Sequence, residues 1–190
     1  MVVERGIMAW KSAVLKEIWA ENTAAREALY EKVQSLTQAQ LSFRPAPDKW
    51  SIGEILDHLC LAELSISRTL SKILQVAAGR GLIGEAGSTE GISHRIDLET
   101  YNQAVMAPDS VRPSPERPLD QLLSSLRESR ERLLQVASRV DGRMVTNVAI
   151  RHFQLGELDF YQWLALEAAH ESKHLAQICR IKSHPGFPRD

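Results

Sequence analysis

Cysteine is scarce in this sequence. Cys60 and Cys179 are the two among 190 residues; they form no Cys-x-x-Cys pair and both fall inside helical patterns, as small buried thiols do in a reducing cytosol. A disulfide framework is excluded, with one Cys60–Cys179 bridge left open. Charge of one sign is missing too: 23 Lys and Arg against 24 Asp and Glu leave a net charge of −1. No basic block follows a phosphate backbone, which argues against nucleic acid as a partner. No apolar run approaches the roughly 20 residues of a membrane span, and the N-terminal residues carry no hydrophobic stretch of signal-peptide type. The expectation is a cytoplasmic protein with no membrane partner. Strand signals are almost absent. What the sequence does have is 44% hydrophobic residues in a chain long enough to hide roughly 70% of its unfolded surface without staples. A metal, if bound, is then there for function rather than for folding.

Apolar residues recur at helical spacing from Ile7 to Val33, through Trp10, Val14, Ile18, Leu29 and Val33, which predicts a long first helix. Residues 36–47 carry Thr37, Ser42, Pro45 and Pro47 and read as caps and turns. Ser51 and Glu54 make a capping box that opens a second helix from about Ile52 to about Ala78. Composition then shifts. Five of the ten glycines (Gly79, Gly81, Gly84, Gly87, Gly91) and four of the eight prolines (Pro108, Pro113, Pro115, Pro118) fall between about residues 79 and 117. That stretch predicts a long crossover, with a weak apolar patch at Ile96–Met106 for a short helix or turn. Helical spacing resumes over Leu119–Val140 and again from about Asp159 to about Lys182. One domain over residues 1–190 follows, of the all-α class: a four-helix bundle with a long crossover between its second and third helices. Because short loops join antiparallel neighbours, that crossover argues against a simple up-down-up-down order.

The last helix contains His170-Glu171-Ser172-Lys173-His174. Histidines at i and i+4 stand one turn apart on one face, so two imidazoles can reach one metal ion from a rigid support. At about 100° per residue they line up with Trp163, Gln177 and Ile181, the side that faces the bundle interior. The bland alternative is a pair of core histidines hydrogen-bonded to nearby carboxylates. A zinc peptidase of the metzincin type would need Gly at Gln177 and His at Arg180, and has neither. A third ligand must come from upstream, from His58, His94, His152, Glu54 or Glu167. His58 is the preferred one, since it sits mid-helix at the edge of the apolar stripe, where facing helices of a bundle build metal sites. Three histidines leave at least one coordination position open, as catalytic sites do.

Two strings carry a resemblance: Trp50-Ser51-Ile52-Gly53-Glu54-Ile55-Leu56-Asp57-His58-Leu59, and, after Gly156 and Trp163, His170-Glu171-Ser172-Lys173-His174-Leu175-Ala176-Gln177-Ile178. In these the chain resembles the DinB-like superfamily, which includes the YfiT-type metalloenzymes. The resemblance implies a four-helix bundle with a crossover after the second helix, a homodimer, and one divalent transition metal (Zn, Ni or Fe) on His58, His170 and His174. Relatives often have His-Pro before the glycine ahead of the last helix, where this sequence has His152-Phe153-Gln154-Leu155-Gly156.

A cation on three neutral imidazoles keeps its full charge and acidifies a bound water or thiol. Three functions fit: a hydrolase acting on a small amide or ester with Glu171, or else Glu167, as proton carrier; a transferase or isomerase using a low-molecular-weight thiol, as some DinB-like relatives do; or a non-catalytic metal-binding stress-response module. Trp10, Trp19 and Trp163 read as core aromatics, Cys60 as a core thiol, and His94, His152 and His184 as loop or turn residues.

Overall fold

The computed structural model describes residues 9–85, 92–103, 106–114 and 116–189; Ile7, Gly87, Gly91 and Pro115 lie outside them. In chain order the elements are α1 (Ala13–Val33), α2 (Gln38–Ser42), α3 (Ile52–Gly79), β1 (Ile83–Glu85), α4 (Leu98–Tyr101), a 3-10 turn (Asp109–Val111), α5 (Leu119–Ser138), β2 (Arg143–Val145), β3 (Ala149–His152), β4 (Gly156–Asp159) and α6 (Phe160–Lys182).

The first helix starts later than its apolar spacing suggests. The Ser12 hydroxyl accepts the Leu15 N–H as N-cap, and the Asp141 carboxylate, beyond the end of α5, accepts the N–H groups of Lys11 and Ser12 at 2.9–3.1 Å. These acceptors satisfy the free donors of the first turn and fix its origin. Trp10 therefore precedes the helix and packs on Trp19, ring centroids 5.8 Å apart. Thr37 and Gln40 close a reciprocal capping box that turns part of the expected turn region into α2. Ser51 and Glu54 do the same for α3, and Asp159 and Gln162 for α6.

Two small antiparallel sheets correct the all-α expectation. β1 pairs with β2 and β3 with β4. Strands of three or four residues are too short to show an alternation, so the sequence pattern hides them. The β3–β4 hairpin turns at Gly156, whose φ of +77° suits glycine.

α3 packs on α5 and α6, and α1 on α6. Two apolar clusters fill the bundle, one toward each end. Leu15 and Ile18 of α1, Leu70 and Ile73 of α3, Leu133 of α5 and Leu164 of α6 share the first. Leu29 and Val33, Ile55 and Leu59, Leu122 and Leu126, and Ile178 and Ile181 share the second. α1 and α6 thus run from the first cluster to the second, while α3 and α5 run from the second to the first. The parallel pair α3 and α5 must be joined by a connection that travels the length of the bundle, which is the crossover the sequence anticipates.

Between the clusters lies a polar layer contributed by four helices. Arg26 donates to Glu63 at 2.9 Å and to Glu171, and Arg130 donates to Glu63 at 2.6 Å and to Glu171 at 3.0 Å. Arg and Glu alternate around a closed ring, and Ser129 also donates to Glu63. Every oxygen of Glu63 and Glu171 has a donor. Cys60 and Cys179 are both free thiols, the first buried and the second exposed.

Candidate metal centre

Where the second cluster meets the polar layer, three imidazoles converge. His58 comes from the second turn of α3, placed there by the Ser51 cap; His170 and His174 come from adjacent turns of α6. One ring nitrogen from each lies within 4.8 Å of the others, and ring centroids are 4.7–5.0 Å apart. Nε2 of His58 and Nε2 of His170 stand 3.1 Å apart.

The opposite nitrogens decide what these atoms can do. His58 Nδ1–H donates to the Val111 carbonyl at 2.8 Å, and His174 Nδ1–H donates to Gln177 Oε1 at 3.0 Å. A neutral imidazole that donates from Nδ1 presents a lone pair at Nε2. Burial pushes the pKa of all three rings down, that of His174 to about 3 and that of His170 well below its ordinary value, with the neighbouring imidazoles adding to the effect. Neutral rings oriented through an outer hydrogen bond, as those of His58 and His174 are, could hold a transition metal together with His170. Ligands at about 2.0–2.1 Å around a tetrahedral ion stand roughly 3.3 Å apart, close to the 3.1 Å separation found here. His170 Nδ1 is buried without a partner among the described residues.

The crossover builds part of this centre. Asp57, next to His58, accepts the Ser114 N–H at 2.7 Å and pairs with Arg117. These contacts tether the segment whose 3-10 turn carries the Val111 carbonyl. The imidazoles open onto a cavity of about 820 Å³ whose walls include Trp50, Tyr101, His152, Trp163 and Lys173. Its size suits a small-molecule ligand.

Of the other sequence candidates, Glu54 and His152 line the cavity and the rest are placed elsewhere. Glu171 is fully buried in the charge ring, both oxygens taken by Arg26 and Arg130, and it is not part of the cavity wall. The reason is its position one residue past His170, about 100° around α6. Glu167 is fully buried beside the same ring. Burial, with the charges of Glu63 and Glu171, raises its pKa well above the usual range, and neither of its oxygens has a partner among the described residues. Glu54 is occupied by the Ser51 N–H and by Arg44. His94 stands with Glu17 and Glu21 on the surface of α1, and His184 accepts the Gly186 N–H. His152 is not an exposed loop residue: it is 7% exposed and lines the cavity. Tyr101, Lys173 and the Val111 carbonyl escape the sequence reading because the crossover supplies or orients them. Gln177, three residues after His174 on the same face, was legible.

The model of the DinB superfamily matches residues 21–178 of this chain. The chain belongs to the DinB superfamily. Its relatives include the uncharacterised protein YuaE of Bacillus subtilis (strain 168), 27% identical over 172 residues, which span 83% of this DinB-superfamily chain and 93% of YuaE. The crystal structure of TT2238, a four-helix bundle protein, superposes with a TM-score of 0.59 at 20% identity over 87% of this chain and 98% of that one. At that identity the likeness speaks to the fold.

Proposed function

We propose that this protein is a divalent-metal-dependent enzyme acting on a small molecule, with the metal on Nε2 of His58, His170 and His174. The observation that carries the reading is the tautomer pattern: His58 and His174 have their δ nitrogens spent on Val111 and Gln177, which leaves their ε lone pairs free, and Nε2 of His58 faces Nε2 of His170 at the cavity. All-imidazole ligation suits Zn, Ni or Fe. A divalent ion there supplies a Lewis acid that lowers the pKa of a bound water or thiol.

Between the two chemistries, the placement of Glu171 favours the low-molecular-weight thiol. Hydrolysis of an amide or ester needs a proton carrier beside the ion, and the carboxylate of the His-Glu-x-x-His string is locked in the charge ring. Thiol transfer needs only that the sulfur lose its proton to solvent; the thiolate then forms a bond to an electrophilic carbon as a π bond or leaving-group bond at that carbon breaks, and the displaced electron pair takes up a proton from solvent. The non-catalytic module is the outcome in which neither occurs. The homodimer belongs to the same reading and is measured by light scattering.

Metal analysis of protein purified without a histidine tag is the first test. Close to one equivalent of a transition metal is expected in the wild type, with loss of stoichiometric binding in His58→Ala. Retention of a full equivalent by the variant refutes the three-histidine assignment. The loaded protein is then screened against esters, amides and thiol-plus-electrophile pairs; turnover confined to the last supports the thiol reading, and silence in all three the module.

A further inference from the structure

The wall of the cavity beside His170 has a feature that metal binding leaves unexplained. His152 ends strand β3, and its Nδ1 accepts two main-chain N–H groups, from Gln154 and Leu155, each at 3.2 Å. A nitrogen that accepts two donors carries no proton, so the ring proton sits on Nε2. Nε2 has no partner among the described residues, and His152 lines the cavity. The ring is held by Trp163, centroids 5.2 Å apart, and Trp163 is itself anchored by its indole N–H on the Ile150 carbonyl at 3.1 Å.

Tyr101 stands 6.4 Å, centroid to centroid, from both His152 and His170. Its hydroxyl also lacks a partner among the described residues, and Tyr101 lines the cavity. Lys173, on α6 between the two metal-ligating histidines, places its ammonium 4.7 Å from the Tyr101 ring centroid and donates to the Tyr101 carbonyl at 2.6 Å. An ammonium has three donors, so bonds to Tyr101 and to the Gln103 carbonyl leave one without a partner among the described residues. Burial pushes the His152 pKa down, which keeps the ring neutral with its proton on Nε2. One patch of wall therefore offers an imidazole N–H, a phenol O–H and an ammonium, all donors and one of them charged.

We propose that this patch is a carboxylate-binding subsite, in which His152 Nε2–H, the Tyr101 hydroxyl and the Lys173 ammonium hold a carboxylate of the small molecule that reacts beside the three imidazoles. The proposal rests on the metal-dependent reading above for what lies next to the subsite, but the tautomer of His152 stands without it. Donors recognise acceptors, and a fixed cation among them selects an anionic acceptor over a neutral one. A carboxylate has two oxygens and can meet several such donors at once.

The test uses Co²⁺-loaded protein titrated with acetate, and separately with azide, which has no oxygen, with visible absorption as the readout. His152→Asn is the informative variant: its side-chain oxygen can replace Nδ1 as acceptor for the turn, and the Nε2–H is deleted. Acetate is expected to bind the variant about tenfold more weakly, the loss of one charge-assisted hydrogen bond, with azide affinity within about twofold of wild type. Tyr101→Phe is expected to act in the same direction. Equal acetate affinities in wild type and His152→Asn overturn the proposal. So do equal losses for acetate and azide, since His152 would then act on the ion. Long-range ¹H–¹⁵N correlation of the metal-free protein reads the tautomer directly, and a proton on His152 Nδ1 also overturns it. If the wild type takes up no Co²⁺, the metal reading fails. The NMR measurement with acetate then still decides the subsite: a shift of the His152 Nε2 resonance supports it and its absence refutes it.

Discussion

His170 and Glu171 are neighbours in sequence with opposite tasks, because one step along a helix turns a side chain by about 100°. The imidazole reaches the cavity, while the carboxylate completes a ring with Arg26, Glu63 and Arg130. Replacing Glu171 by Gln leaves two guanidinium groups short of one carboxylate in the bundle centre. Breaking a buried pair in this way costs about 3–5 kcal/mol. Glu171→Gln is thus expected to lower denaturant stability by that amount while still binding one equivalent of metal; loss of activity at unchanged stability would instead make Glu171 the proton carrier. The residues also set the response to pH. In metal-free protein the three ligand imidazoles are neutral below the unfolded histidine value of about 6.5, and His174 stays so to about 3. Below pH 6.5 the unfolded chain takes up protons that the folded chain refuses, so stability falls with acid. Glu167 and Glu171 work in the other direction, since burial raises their pKa and the unfolded chain loses those protons at a lower pH. Four imidazoles, counting His152, outweigh two carboxyls, and the Tm of the metal-free protein is expected to be lower at pH 5 than at pH 7. A Tm that is equal or higher at pH 5 contradicts the burial of these rings as neutral groups.

At the level of elements, the crossover does more than connect. Asp57 holds Ser114 and Arg117, and the tethered 3-10 turn presents the Val111 carbonyl to His58. Removing an outer-shell partner of a ligating histidine typically weakens metal affinity 10- to 100-fold. Asp57→Ala frees the crossover without touching a ligand, and metal titration is expected to show a loss in that range with α-helical circular dichroism retained. Unchanged affinity would mean that Val111 is positioned by other contacts. These elements also show what could be read in the sequence. α3, α5 and α6 appear at nearly their predicted bounds because a sustained apolar period acts locally in all three and capping boxes open α3 and α6. The start of α1 did not, because Asp141, 129 residues from Ser12, fixes it. The convergence of the three imidazoles was legible, two from their spacing and the third from its place on the α3 stripe and the family resemblance. The Val111 carbonyl and the Tyr101 hydroxyl were not, since backbone acceptors and crossover side chains leave no periodic trace.

For the whole molecule, the decisive feature is that two apolar clusters flank the polar layer and each joins all four long helices. The three imidazoles lie at the junction of layer and second cluster, and they link only α3 to α6, which already pack along their length. A metal held there would therefore be an addition to a complete core, unlike the ion of a zinc finger, whose binding supplies the folding energy. An ion present at 100 times its Kd stabilises the folded state by about 2.7 kcal/mol. For a chain of this size 1 kcal/mol corresponds to roughly 2–4 °C. Exhaustive chelation is expected to lower the Tm by roughly 5–11 °C, to leave one cooperative transition and an unchanged helical spectrum at 25 °C, and to be reversed by adding metal back. Loss of the helical spectrum on chelation at 25 °C would show that the two clusters do not hold the bundle by themselves, and the site would have to be regarded as structural.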